Sequence, residues 1–393
     1  MVDKHTVQGC CPLDCPDTCA WQAHVEDGKV ARVKGDQAHP FTRGMLCAKV
    51  NDYPARTYSP DRLMHPLRRT GAKGDGQFER ITWDEAVNTI AGRFDEIITR
   101  HGAESIMPVT YYGSMGAVQK FAPLRLLNAL GTADMHGVIC GAPGLALMSE
   151  GHSIGLDPDD YGHAKLIILW GVNVLSTGHH HWHFLNEARE KNGARIVSID
   201  PRRTRTAAKS DEHIALRPGT DAALAAGMAR VMLKEGLADL EFAGKMAQDV
   251  DAYRKQVEPW TPECVAKECG IDADTVVTLA REFASSKPAM IRCGIGPQQT
   301  VHGEAFVWSL SALCILAGHD GSPGGGLSLL NLSDFNLALA GRDDLKQEKT
   351  RSLDIARLGP ILTGEDAGLP VHGIMVWGIN PAVVLNDTAQ VRR

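Results

Sequence analysis

The sequence predicts an α/β protein: a small β-rich unit bearing clustered cysteines, followed by doubly wound α/β domains with largely parallel sheets. Three observations carry this. Cys10, Cys11, Cys15, Cys19 and Cys47, half of the ten cysteines, lie near the start of the 393-residue chain. Beyond residue 100, short apolar runs alternate with single helical segments, the order that gives right-handed crossovers and parallel strands covered on both faces. Glycine-rich breaks near 69–76 and 320–326 divide a chain too long for one ordinary core.

The first element is a hairpin: the apolar residues of His24–Lys34 roughly alternate around Asp27-Gly28, a two-residue turn signal. Thr82-Trp-Asp-Glu85 is a capping box, with helical periodicity over Ala86–Arg100 behind it. Strands follow at Ser105–Thr110, Lys165–Trp170, Arg195–Asp200, Ala289–Arg292 and Ile374–Trp377. Helices are expected at Ala117–Leu130, His181–Lys191, Asp221–Leu237 and Phe306–Ala317. Asp334–Pro370 is charged and weakly periodic, and reads as a long functional loop or an excursion. No clear closing helix follows Trp377 before Arg393, which reads as an interrupted fold. The expected division is a cysteine-bearing domain over 1–65, a discontinuous α/β domain over 66–138 and 325–393, and a second α/β domain over 139–324.

Composition narrows the function. Hydrophobic content of 44% and charged content of 22% are those of a soluble globular protein. A formal net charge of -6 without a basic stripe argues against a nucleic-acid partner. No apolar run is long enough for a membrane span, and Met1–Gly9 lacks the apolar stretch of a signal peptide. A cytoplasmic location without membrane insertion is the expectation.

The cysteines carry the chemistry. Cys11, Cys15 and Cys19 stand four residues apart, and Cys47 follows after a further 27 residues. Three thiolates on one tight loop can grip three corners of a cubane while a distant fourth closes it, the donor set of a [4Fe–4S] cluster. Pro12 and Pro16 keep the loop from becoming a helix. Zinc is the rival, although structural zinc sites prefer two pairs of ligands. Cys10 competes with Cys11 as a ligand; the regular spacing supports Cys11. Asp14 and Asp17 are expected to face solvent, away from an anionic cluster.

The cysteine loop, together with Thr42-Arg-Gly-Met-Leu-Cys47-Ala-Lys49 and Tyr58-Ser-Pro-Asp-Arg-Leu63, resembles the N-terminus of molybdopterin oxidoreductases of the dimethyl-sulfoxide-reductase class. Formate dehydrogenases, nitrate reductases and thiosulfate or polysulfide reductases belong to that class. The likeness runs on through Ile199-Asp-Pro-Arg-Arg-Thr-Arg-Thr-Ala-Ala208, Arg217-Pro-Gly-Thr-Asp221, Gly294-Ile-Gly-Pro-Gln-Gln299 and Trp377-Gly-Ile-Asn-Pro381, essentially the whole chain. It implies a [4Fe–4S] cluster near a molybdenum or tungsten ion held by bis-molybdopterin guanine dinucleotide. It also implies that Lys49 lies between cluster and pterin, and that the usual C-terminal cofactor-binding domain of the family is absent here.

No Gly-x-Gly-x-x-Gly follows a strand, so the dinucleotide fingerprint is missing. Polar loops at strand ends remain. Asn173 ends one strand, and Asp200 with Arg202 ends the next, where ligands bind in open α/β sheets. Asp200 can accept from a guanine edge, and the planar fork of Arg202 can pair with a pyrophosphate. Gly219 and Asp221 open a helix whose amides suit an acceptor, although Asp221 reads equally as a plain N-cap. The resemblance assigns Asn173, Asp200, Asp221 and Gln299 to cofactor binding.

The resemblance points to His136-Gly-Val-Ile-Cys140-Gly-Ala-Pro143 for the protein ligand to the metal, and there to Cys140. A thiolate suits such a metal; the plain alternative is a buried free cysteine. Formate dehydrogenases carry histidine directly after this ligand, and Gly141 stands here, which argues against formate oxidation. His179 and His183 share a helix face, but packing explains them better than a second metal. The expectation is a catalytic chain for two-electron oxidation or reduction of a small substrate, with electrons passing through the cluster to a partner subunit or soluble carrier. A truncated, cluster-only chain and a non-redox hydratase or transhydroxylase are the alternatives.

Overall fold

The computed structural model describes residues 3–152, 154–329, 338–348, 350–366 and 368–393. The N-terminal strands β1 (Lys4–Cys10), β2 (Ala20–Glu26) and β3 (Lys29–Gly35) form an antiparallel sheet in that order. Asp27 and Gly28 turn the β2–β3 hairpin with φ of 49° and 75°. Both left-handed values are what the tightest hairpin turn requires, and explain the Asp-Gly pair. A short antiparallel ribbon, β4 (Leu67–Arg69) with β5 (Phe78–Arg80), leads to the helix Trp83–His101. That helix starts where the sequence places it. Thr82 Oγ1 accepts from Glu85 N at 3.1 Å, and Thr82 N donates to Glu85 Oε2 at 2.8 Å.

Strands β6 (Ile106–Thr110) and β7 (Asp134–His136) come next, with the helix Ala117–Leu130 between them. Then β8 (Leu166–Trp170), β9 (Arg195–Ile199), β10 (Glu212–Ile214), β11 (Ala289–Cys293) and β12 (Gly326–Ser328) assemble one sheet in the order β10-β9-β8-β11-β12. Every pair in it is parallel. β8 and β11 are buried along their whole length because helices cover both faces. The chain winds outward from β8 to β10, then returns to β11 and winds the other way. The strand order therefore reverses between β8 and β11. In such folds ligands bind outside the carboxyl ends of the strands at that reversal.

Between β10 and β11, periodicity alone misses four helices, Leu240–Met246, Val250–Val257, Pro262–Cys269 and Ala273–Ser285. The first three span only about two turns, too short to show a pattern. Their signal is the cap: Asp239, Asp249 and Thr261 each accept from the backbone N–H three residues on.

β13 (Ser352–Asp354) pairs parallel with β7, and β14 (Gly373–Trp377) pairs parallel with β6. The reading of 334–370 as a loop is thereby corrected in part: residues 334–337, 349 and 367 lie outside the described residues, but the rest includes β13 and the helix Leu358–Thr363. Leu353, Ile355, Leu358 and Ile361 bury themselves against Met107 and Val109, while intervening charges disguise their spacing. Two helical turns, Pro381–Val384 and Thr388–Arg392, follow β14, where the sequence showed no clear helix. No helix among the described residues is long and apolar enough to cross a membrane.

Candidate cluster and cofactor site

The loop 11–19 joins β1 to β2. Cys11 N donates to Cys19 O at 2.8 Å and closes it into a compact ring. Cys10 lies on β1 and is exposed, whereas Cys11, Cys15 and Cys47 are half-buried and Cys19 is buried. Burial, then Asp17 and the thiols of Cys11, Cys15 and Cys47, push the Cys19 thiol up to about 12. Burial and Asp17 push Cys15 up to about 11, with Lys49 opposing. Burial also raises Cys11, with Leu13 N–H and Lys49 opposing and Cys47 adding to the rise. The four thiols thus share one electric field, with the Lys49 cation inside it. Each thiolate makes the next harder to form, and a cationic iron core relieves that repulsion. The donor set fits the cluster. Among the described residues no three His, Cys, Asp or Glu side chains could hold a single metal ion.

The sequence expectation holds for Asp14, which is exposed, and is corrected for Asp17, which is only 2% exposed. Asp17 Oδ2 lies 2.6 Å from His180 Nδ1 and accepts from His180 N at 3.2 Å. Burial alone would raise the Asp17 carboxyl; the His180 hydrogen bonds and neighbouring His181 instead hold it below the usual carboxylate range. Burial and then Arg292 push His181, 1% exposed, down to about 4. Its folded value lies below the ordinary 6.5, so the unfolded chain binds more protons between those values. Stability should therefore fall as pH drops from 6.5 to 4, by on the order of 3 kcal/mol for this group. Urea unfolding at pH 7 and pH 5 checks it: His181→Gln should show the smaller loss on acidification.

The cluster loop is tied to the segment after β6. Asp14 N donates to Gly113 O at 3.1 Å, and Met115 N donates to Pro12 O at 2.6 Å. That segment begins with Tyr111, whose hydroxyl lies 3.4 Å from Cys140 Sγ and accepts from Ile139 N at 2.8 Å. Burial and the Cys140 contact raise the Tyr111 hydroxyl. Cys140 is half-buried on the loop between β7 and the helix Ala142–Ser149.

The Cys140 loop is in turn fastened to the strand-order reversal. Gln298, 3% exposed, accepts from Gly144 N at 3.1 Å and donates to Gly294 O at 3.2 Å. Gln299 donates to Ile139 O at 2.7 Å. The loops leaving β8 and β11 touch there, since a Cβ on Gly294 would lie 2.0 Å from Gly171 O. Any side chain at Gly294 would collide with that carbonyl, so glycine is what lets the two loops meet.

Asn173 leaves β8 and shapes its loop: its Oδ1 accepts from Thr206 Oγ1 at 2.7 Å and its Nδ2 donates to Ser176 Oγ at 3.1 Å. Asp200 leaves β9, and its Oδ1 accepts from Arg202 N at 2.9 Å. The Arg202 side chain is exposed. Gly219, with φ 83°, turns the chain between β10 and the helix Asp221–Lys234. Asp221 faces inward: it is 6% exposed and accepts from Trp170 Nε1 at 2.9 Å. Burial raises its carboxyl and the Trp170 hydrogen bond opposes this. Asp221→Ala would strand the indole N–H in the core, where it costs about 1–3 kcal/mol. A thermal melt should show that loss, and a smaller one for Asp221→Asn, which keeps an acceptor oxygen.

The structure therefore gathers Asn173, Asp200, Arg202 and Gln299 at the carboxyl ends of one sheet, links Cys140 to them, and groups Lys49 with the thiols. Gly219 and Asp221 follow β10 on the same side, where Asp221 also accepts from Trp170. His179 Nδ1 lies 3.4 Å from Leu175 O, and His183 is half-buried. Sequence reasoning missed Tyr111, His180 and Gln298. The strand-end rule that found Asn173 would have found Tyr111, the first residue after β6.

Comparison with known proteins agrees. The molybdopterin oxidoreductase Fe4S4 domain matches residues 4–59, and the molybdopterin oxidoreductase family matches residues 62–368. The probable oxidoreductase YoaE of Bacillus subtilis is 36% identical over 98% of this chain and 57% of its own length. Dimethyl sulfoxide reductase DmsA of Escherichia coli is 32% identical over 100% of this chain and 54% of its own. The chain thus spans little more than half the length of these relatives. The solved acetylene hydratase of Pelobacter acetylenicus superposes with a TM-score of 0.64 at 25% identity, over 78% of this chain and 43% of that one. The cofactors of the family, a [4Fe–4S] cluster and molybdenum or tungsten molybdopterin, are those the donor sets above fit. By its matched domains, its relatives and its cluster and strand-end sites, the chain belongs to the molybdopterin oxidoreductase family.

Proposed function

We propose that this chain supplies the cluster and much of the cofactor site of an oxidoreductase performing a two-electron oxidation or reduction of a small substrate. The observation that carries it is continuity. Residues 12–14 of the cluster loop bond to the segment after Tyr111, Tyr111 touches Cys140, and Gln298 and Gln299 fasten the Cys140 loop to the β8–β11 reversal. Both cofactor sites are thus held in one connected frame. When bound, the metal–pterin group supplies the two-electron redox couple.

The chain's own residues do the rest. Cys140 is the protein ligand to the metal, and Tyr111 fixes its thiol. Lys49 offsets the negative charge of the cluster thiolates. The second carboxylate oxygen of Asp200 accepts from a guanine edge, Arg202 meets the pyrophosphate, and the amides after Gly219 receive an acceptor, which suits bis-molybdopterin guanine dinucleotide. The cluster, held by Cys11, Cys15, Cys19 and Cys47, would supply a one-electron path towards an electron-transfer subunit or soluble carrier. The domain division 1–65, 66–138 with 325–393, and 139–324 belongs to the same reading. The pairings β6–β14 and β7–β13 support its discontinuous domain, while β12 carries the second domain's sheet to Ser328.

Metal analysis of anaerobically purified protein tests this. About four irons with one molybdenum or tungsten per chain is the expected result; iron without either would leave a cluster carrier only. The likeness to an acetylene hydratase favours a second reading, a hydration without net electron transfer. An absolute requirement for an external electron acceptor or donor would eliminate it.

A further inference from the structure

We propose that His180 is a positioning residue for the iron–sulfur cluster: one buried imidazole that holds both cysteine-bearing segments and thereby sets the cluster's reduction potential. The ring is 0% exposed. Its two nitrogens face different segments. Nδ1 lies 2.6 Å from Asp17 Oδ2, and Asp17 stands midway between Cys15 and Cys19. Nε2 donates to Met45 O at 3.1 Å, and Met45 stands two residues before Cys47. Nδ1 is also 3.9 Å from Cys19 Sγ, the most buried of the thiols proposed as ligands. Hydrogen bonds to cluster sulfurs and solvent exclusion are main determinants of cluster potential.

The surroundings fix the ring in place. His180 immediately precedes the helix His181–Asn192, which packs beside the five-stranded sheet. Phe41 stacks on Phe184 of that helix at 5.3 Å and meets His181 edge-on at 5.1 Å. Arg43 pairs with Glu187 of the same helix. The segment leading to Cys47 is thus seated on this helix by aromatic and ionic contacts, and His180 closes the arrangement against the cysteine loop. The segment leading to it passes through the turn Asn173–Thr177, which begins three residues after β8 ends. The frame that holds the cluster therefore starts at the edge of the cofactor site. An imidazole present merely to fill space would not need both nitrogens aimed at the two segments that carry the thiols.

The test is iron content and EPR-monitored redox titration of the full chain at one pH. His180→Ala, His180→Gln, Asp17→Asn and His179→Gln are compared with the unaltered protein. His180→Ala should bind less iron or shift the potential. His180→Gln keeps an amide able to donate to Met45 O, so it should recover the iron content but not the g-values. For His180→Gln and Asp17→Asn, the reduced-to-oxidised ratio at the unaltered midpoint should change at least tenfold, about 59 mV for a one-electron couple. His179→Gln, whose parent ring faces Leu175 O instead, should match the unaltered protein. Unaltered potential and g-values in both His180→Gln and Asp17→Asn would overturn the proposal. It would fall equally if His180→Ala lost iron while His180→Gln regained it with unaltered potential and g-values, since His180 would then only pack.

Discussion

Replacing Cys19 or Cys47 with alanine is expected to remove most of the iron, from about four per chain to near none, and with it all electron transfer. Either substitution leaves three of the four thiolates, so one iron loses its protein ligand and the core is held far less firmly. Cys19 is buried between the loop and His180, so its loss also opens the site to water. Because cluster binding and local folding are one equilibrium, the N-terminal sheet should lose stability along with the metal. Cys10→Ala is the informative partner: Cys10 is exposed on β1, and its removal should leave the iron intact, whereas Cys11→Ala should not. Iron analysis and the visible charge-transfer absorption measure all four variants. Loss of iron in Cys10→Ala, with retention in Cys11→Ala, would reverse the ligand assignment.

Cys140→Ala is expected to lower turnover by a factor of at least about 100, since even outer partners of a metal ligand typically contribute 10–100-fold. The iron content should stay unchanged, because Cys140 is no member of the thiol group and meets the cluster loop indirectly, through Tyr111 and the segment after it. Tyr111→Phe keeps the ring and removes the hydroxyl that lies 3.4 Å from Cys140 Sγ and receives Ile139 N–H. It should give the smaller, roughly tenfold effect of a lost supporting hydrogen bond. Substrate-dependent dye oxidation or reduction, with molybdenum and tungsten counted per chain, reads both. The control is Cys314→Ala, a buried cysteine in the helix Gly303–Leu316, which should alter stability without a selective loss of turnover. Turnover in Cys140→Ala equal to that of the unaltered chain would remove it from the site.

Much of the molecule was legible in the sequence for local reasons. Asp27-Gly28 encodes its hairpin because few residues accept two successive left-handed conformations. Thr82 and Glu85 encode their helix start because the capping box is made within four residues. The apolar runs of β8, β9 and β11 announce strands buried on both faces. The spacing of Cys11, Cys15 and Cys19 announces a cluster loop, and the placement of Asn173 and Asp200 at strand ends follows from the alternation of strands and helices, while Gln299 is marked by the family resemblance alone.

What the sequence by itself determined was therefore the hairpin, the long buried strands and the long helices, the cluster loop, and which strand ends carry polar residues. Only the tertiary structure decided what those residues face. Asp17, expected in solvent, is buried because His180, 163 positions away, supplies its partner. Asp221, read as a ligand group or a cap, turns inward and accepts from the Trp170 indole. The strand order that places β8 beside β11, and so brings Gly171 against Gly294, is a matter of long-range pairing. Such pairings depend on which buried surfaces and polar partners meet once the chain has closed on itself, and local spacing carries no record of that.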